Sequence, residues 1–155
     1  MIRTIAPSDT DSVIALAEQL GMFDADGLAD IKETLANYYS GNSKDLWYVA
    51  DDNGLAGVLY CVPEPMTSGT WNILMLLVNP DRQGQGYGRA LMSYIEQTLV
   101  ERGEHLLIVE TSSLDDFESA RGFYSNCGYK EEARIRDFYA EGDDKIVFSK
   151  ALKAG

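Results

Sequence analysis

At 155 residues the chain is long enough to bury a core as one domain spanning residues 1–155, and its 25 acidic against 13 basic side chains give a net charge of −12. That charge, with no basic run, excludes a nucleic-acid-binding surface; no window approaches a membrane span, and the amino terminus lacks the basic start and apolar run of a signal peptide. A soluble, cytoplasmic protein is expected, whose acidic surface serves solubility or draws a cationic partner such as an amine.

Residues 2–6 read as a first strand. Ser8 then starts a helix with Asp9 and Asp11 in its first turn, where carboxylates suit the helix dipole, and Val13, Leu16, Ala17 and Leu20 form its apolar stripe. A second helix is expected over residues 25–39 on Leu28, Ile31, Leu35 and Tyr38, stopped by Gly41 and Asn42. Strands over residues 46–50 and 55–62 flank Asp51-Asp52-Asn53-Gly54, a hairpin signal. Pro63 and Pro65 end the second of them, because proline cannot donate to a ladder.

An apolar strand over residues 73–78 follows, uniform enough to be buried on both faces at the centre of a sheet. It runs into Asn79-Pro80-Asp81-Arg82-Gln83-Gly84-Gln85-Gly86-Tyr87-Gly88-Arg89. A helix begins at once, with Ala90, Leu91, Tyr94, Ile95 and Leu99 at helical spacing and Gly103 at its end. Alternate glycines let main-chain N–H groups close on an anion without Cβ obstruction, and the unbonded amides of the helix start point the same way. The segment reads as a phosphate cradle at the carboxyl end of a strand, where open α/β sheets bind ligands. It is not a P-loop, because Gly88-Arg89-Ala90 stands where Gly-Lys-Ser/Thr is needed, nor a dinucleotide fingerprint, whose third glycine would fall on Arg89.

Residues 106–111 form another β-branched strand, residues 115–126 a short helix stopped at Gly128, and residues 133–139 and 145–152 a last hairpin across Glu141-Gly142-Asp143-Asp144. Cys61 and Cys127 form no C-x-x-C pair and have only His105 as a nitrogen co-ligand. Free thiols are therefore expected rather than a zinc site, and no metal.

Gln83, Gly86 and Gly88 fill the pattern Gln/Arg-x-x-Gly-x-Gly/Ala, and residues 78–91 resemble the acyl-CoA loop of the GNAT acetyltransferases. The element order β-α-α-β-β-β-α-β-α-β-β resembles that fold from end to end. Periodicity alone supports an α/β class with a mixed sheet. The resemblance implies a mostly antiparallel sheet splayed between its fourth and fifth strands, with acetyl-CoA as co-substrate in the gap. In that family the pantetheine arm lies along the fourth strand, which maps to Leu76, Leu77 and Val78, and the pyrophosphate meets Gln83, Gly84, Gln85, Gly86, Tyr87, Gly88 and Arg89.

Ala120, Phe123, Tyr124, Gly128 and Tyr129 resemble the family's A-x-x-F-Y-x-x-x-G-F helix end, whose tyrosine, here Tyr124, protonates the departing thiolate. A phenol suits that task, being neutral at physiological pH yet able to donate a proton as charge develops on sulfur. The fourth strand lacks the glutamate that some members use as base. Glu110, at the end of the fifth strand, is the candidate in its place, or else a structural carboxylate bonding nearby loop groups. Phe117 stands where family members often carry an asparagine that bonds to CoA, so that bond is either missing here or made by Ser112 or Ser113.

The resemblance implies acetyl transfer to a primary amine by direct attack on the thioester. Transfer to a protein amino terminus, transfer of another acyl group, and acyl-CoA sensing without turnover are the alternatives. The acceptor, a small-molecule or peptide amine, is not legible in the sequence, and a homodimer stays open.

Overall fold

The two periodicities of the chain, near 3.6 in the helical stretches and 2 in the strands, place its elements in a computed structural model that describes residues 1–153. The strands are β1 (Ile2–Thr4), β2 (Leu46–Asp51), β3 (Leu55–Pro63), β4 (Thr70–Val78), β5 (Leu106–Ser112), β6 (Lys130–Ala140) and β7 (Asp143–Ala151). The helices are α1 (Thr10–Leu20), α2 (Ala25–Tyr39), α3 (Tyr87–Glu101) and α4 (Glu118–Asn126). The order of elements is the expected one. All seven strands join one mixed sheet in the order β1-β2-β3-β4-β5-β7-β6, with β4 parallel to β5.

By their packing the described residues fall into two units, one of residues 1–62 and 75–94, the other of residues 63–74 and 95–153. In the first, α1 and α2 bury Val13, Leu16, Ala17, Ile31 and Leu35 against Trp47 and Val49 of β2, Val58 of β3, and Met75 and Leu77 of β4. Burying each of the larger aliphatic side chains contributes about 1.5–3 kcal/mol. The start of α1 differs from expectation. A 3-10 turn over Pro7–Asp9 comes first, because the Asp9 carboxylate accepts from the Ala6 amide at 2.8 Å and grips the Arg3 guanidinium at 2.7 and 2.8 Å.

In the second unit the parallel ladder of β4 and β5 runs from Thr70↔Leu106 to Ile73↔Val109, and β5 continues alongside β7 from Leu106↔Ala151 to Ser112↔Lys145. Two expectations change here. β4 is buried on both faces only over Trp71, Asn72 and Ile73; Leu74 is 52 % exposed, and beyond it burial alternates. β6 begins at Lys130 rather than Ala133 and is exposed throughout, since it is the edge strand and needs only β7's backbone to form. Asp137, at φ 56°, lies in the irregular stretch of its pairing between Ile135 and Ala140.

Candidate active site

The cradle forms as its residues dictate. Asn79 caps the turn after β4, its side-chain oxygen accepting from the Asp81 amide at 3.0 Å while its own amide donates to the Ala56 carbonyl at 2.8 Å. The loop then leans on the β2–β3 turn: Arg82 donates to the carbonyls of Asp52 and Asn53, and the Tyr87 hydroxyl donates to the Asp52 carboxylate. Gly84 and Gly86 sit at φ 78° and 87°, left-handed conformations that a side chain strains by about 1–2 kcal/mol. A Cβ added to either would meet nothing within 4 Å, so the loop's main chain is bordered by open space. Ala90 makes the helical bond to the Gly86 carbonyl at 2.9 Å, so the amides of the first turn before it have no acceptor inside the helix. Left-handed glycines opening onto a helix start suit a pyrophosphate, and the residues present therefore fit coenzyme A.

Gln83, Gly84, Gln85, Gly86 and Arg89 are exposed, and Tyr87 and Gly88 half-buried. Leu77 is buried, with Leu76 and Val78 half-buried on the same strand. Sequence reasoning missed Gly57 of β3. A Cβ there would come 3.0 Å from the Leu77 carbonyl and 3.1 Å from Leu91, so this glycine admits β4 and α3 at close range. In α3, Leu91, Met92, Ile95 and Leu99 are buried, whereas Ala90 is exposed and Tyr94, 40 % exposed, rests edge-on against Tyr48 of β2.

Tyr124 lies in the second unit on α4. Its ring packs on Phe123, Tyr129 and Phe148, and burial pushes its phenol up to about 12, with a smaller contribution from Cys127. The proton is thus retained far above physiological pH. The end of α4 is anchored by Lys150 of β7, which donates to the Cys127 carbonyl at 2.9 Å and pairs with Glu96 of α3 at 2.8 Å, while the Tyr129 hydroxyl donates to the same carboxylate at 2.8 Å. At the other end Arg121 donates to the carbonyls of Ser112 and Leu114 at 2.7 and 2.9 Å.

Glu110 is salt-bridged to Lys145 at 3.0 Å, and the Lys145 ammonium sits 3.9 Å from the centre of the Phe138 ring. The structure sets Glu110 and Tyr124 on opposite faces of β5: Glu110 is paired with Val147, while Val109 is paired with Phe148, on which Tyr124 packs. The hydroxyls of Ser112 and Ser113 are engaged locally. Ser112 donates to Asp143 and accepts from the Leu114 amide, and Ser113 accepts from the Asp144 amide at 2.8 Å.

A further polar residue gave no signal in the sequence. Asn72 of β4 is 2 % exposed, donates to the Glu64 carboxylate at 2.9 Å and leaves its own Oδ1 without a partner, a burial that costs about 1–3 kcal/mol. Both cysteines are buried and outside any disulfide, and burial holds the Cys61 thiol well above its ordinary range. Among the described residues no group of three or more His, Cys, Asp or Glu could hold a metal ion, and no helix is long and apolar enough to cross a membrane.

The fold matches solved structures over nearly its whole length. A GNAT-family protein from Desulfovibrio desulfuricans is 28 % identical, with a TM-score of 0.91 and 98 % of each chain covered. An aminoglycoside 6'-N-acetyltransferase, solved in complex with coenzyme A, is 18 % identical with a TM-score of 0.84, covering 100 % of this chain and 98 % of the other. A ribosomal-protein-alanine N-acetyltransferase from Brucella melitensis is 17 % identical with a TM-score of 0.78, covering 98 % of this chain and 99 % of the other. The family model for the acetyltransferase (GNAT) domain matches residues 42–131, more than half the sequence, running from the strand before the first hairpin through the cradle to the end of α4 and just beyond. The chain belongs to the GNAT acetyltransferase family.

Proposed function

We propose that the chain transfers the acetyl group of acetyl-CoA to a primary amine by direct attack of the amine nitrogen on the thioester carbon. The observation that carries this reading is the cradle, where Gly84 and Gly86 hold left-handed conformations beside open space and lead straight into α3. Gln83, Gly84, Gln85, Gly86, Tyr87, Gly88 and Arg89 would hold the pyrophosphate, and main-chain groups of Leu76, Leu77 and Val78 the pantetheine arm. Bound there, acetyl-CoA would supply the activated acyl group, with the coenzyme A thiolate as leaving group.

The remaining steps fall to the chain's own residues. A main-chain N–H of β4 meets the charge that develops on the carbonyl oxygen. As the carbon–sulfur bond breaks Tyr124 donates its proton to sulfur, the acylated nitrogen releases its surplus proton to solvent, and the phenol recovers one from solvent. A phenol held near 12 is a weak acid toward water, yet it has a proton to give at every physiological pH. Direct attack needs no acetyl-enzyme, and neither cysteine takes part. Before attack the acceptor ammonium must lose a proton. Glu110 stands on the face opposite Tyr124, as a base on the acceptor side should, but Lys145 already neutralises its charge.

That pairing favours one competing reading, an acyl-CoA sensor without turnover. Thiol release from acetyl-CoA, followed over a panel of small primary amines and peptides with free amino termini, separates the two. Amine-dependent release with an acetylated product is expected. Coenzyme A binding with no release on any amine would make the chain a sensor.

A further inference from the structure

The acceptor side of the reaction needs a carboxylate whose charge is not already neutralised. In the parallel ladder Asn72 is paired with Ile108, so it shares the face of Ile108 and Glu110, while Ile73, Val109 and Phe148 share the face on which Tyr124 packs. That first face is half-buried at Leu106, Ile108 and Glu110, whereas Leu107, Val109 and Thr111 are buried. Four carboxylates bear on it: Glu132 accepts from Ser149, the partner of Ile108, and pairs with Lys130 at 3.4 Å, while Asp143 accepts from Ser112 at the far end of β5, which leaves Glu110 and Glu64. Glu110 is paired with Lys145 at 3.0 Å; Glu64 is held by Asn72, a neutral amide, at 2.9 Å, and among the described residues no basic side chain lies within ion-pair distance of it.

Asn72 is otherwise hard to account for. It is buried in mid-strand between Trp71 and Ile73, where an apolar residue would leave no polar atom unpaired, yet its Oδ1 has no partner. Its side-chain amide is spent wholly on Glu64, which the bond from the Glu64 amide to the Thr70 carbonyl at 2.9 Å fixes at the end of the β3–β4 connection. Two residues further along β4, Leu74 is 52 % exposed, immediately past the last pair of the β4–β5 ladder. The carboxylate thus stands near the point where β4 parts from β5 and its side chains reach solvent.

We infer that Glu64, positioned by Asn72, receives the ammonium group of the acceptor and takes its proton. The inference rests on the acetyltransferase reading. An acceptor R–NH3⁺ binds by charge-assisted N–H bonds to the Glu64 carboxylate, one proton passes to that carboxylate, and the neutral R–NH2 is left to attack. Glu64 returns the proton to water. Glu110 and Lys145 then serve to hold β5 to β7, and the acceptor class is a primary ammonium rather than an alcohol or a quaternary amine.

Binding can be tested without turnover by titrating the full chain with ethylammonium chloride and following the Asn72 side-chain amide by nitrogen–proton NMR, the signal being assigned by its loss in Asn72→Leu. A saturable shift is expected with ethylammonium, not with tetramethylammonium, which has no N–H, and binding should weaken at least tenfold in Glu64→Gln. Glu64→Met, which keeps length without charge, should behave like Glu64→Gln. Equal shifts with both salts, or unchanged ethylammonium binding in both Glu64 variants, would overturn the inference. With an acetylated amine, Glu64→Gln should raise the amine KM at least tenfold, remove the acidic limb of kcat/KM and leave the acetyl-CoA KM unchanged. Loss of both substrates' affinity together would mean a merely structural role. Failure of the wild type to acetylate any amine would sink the acetyltransferase reading alone, because the NMR titration decides the ammonium site separately.

Discussion

Gly86 offers a perturbation whose two consequences can be worked out separately. Its φ of 87° strains any side chain by about 1–2 kcal/mol, and because a Cβ there meets nothing within 4 Å no steric cost is added. Gly86→Ala and Gly86→Glu should therefore lose the same ~1–2 kcal/mol of stability, read from urea denaturation. They should differ toward coenzyme A. A carboxylate brought to about 4 Å from a phosphate, at an effective dielectric near 20, is repelled by about 4 kcal/mol, roughly a thousandfold in Kd. Calorimetric titration of both folded variants with coenzyme A measures the difference. If Gly86→Glu bound coenzyme A as tightly as Gly86→Ala, the loop would not hold the pyrophosphate.

Gly57→Val should cost about 1–3 kcal/mol, since the new side chain meets the Leu77 carbonyl, a backbone atom with little room to move; unchanged thermal stability would contradict the close approach of β3 and β4. Asp9→Asn should cost about 1–2 kcal/mol at pH 7 by weakening the paired bonds to Arg3. The Arg3 guanidinium holds the Asp9 carboxyl below its ordinary 3.8, so its contribution is present above that pH and lost as pH falls through the lowered value. The gap between variant and wild type in urea should accordingly narrow below pH 3.8, and a constant gap would mean that charge plays no part. Glu110→Gln should lower stability by about 1 kcal/mol, the pair with Lys145 being partly exposed, and change turnover equally at all pH values. A loss confined to low pH would make Glu110 the base after all.

What the sequence made legible was local. The loop could be read because strand, glycines and helix follow one another within residues 73–99, and α2 because Leu28, Ile31, Leu35 and Tyr38 keep helical spacing up to Gly41, whereas its Asp24 cap on the Gly27 amide was not read. The site's supports were hidden because each joins residues distant in sequence: Lys150 with Glu96, Arg82 with the Asp52 carbonyl, Glu110 with Lys145. A charge has no periodicity that names its partner. The polar start of β6 gave no strand signal, since Lys130-Glu131-Glu132 has no apolar alternation and is held by pairing with β7. The exposure of Leu74 was equally unreadable, as an apolar residue in an apolar strand looks the same whether it faces a core or an opening.

Tyr124 separates an enzyme from a binding module, and its hydroxyl can be removed without disturbing the ring that packs on Phe123, Tyr129 and Phe148. The decisive measurement is kcat for acetyl transfer to an amine together with the acetyl-CoA Kd, both on one folded preparation of Tyr124→Phe. If the phenol protonates the leaving sulfur, kcat falls by roughly ten- to thousandfold while Kd stays at the wild-type value. Wild-type kcat in the variant would contradict the account and return Tyr124 to the core.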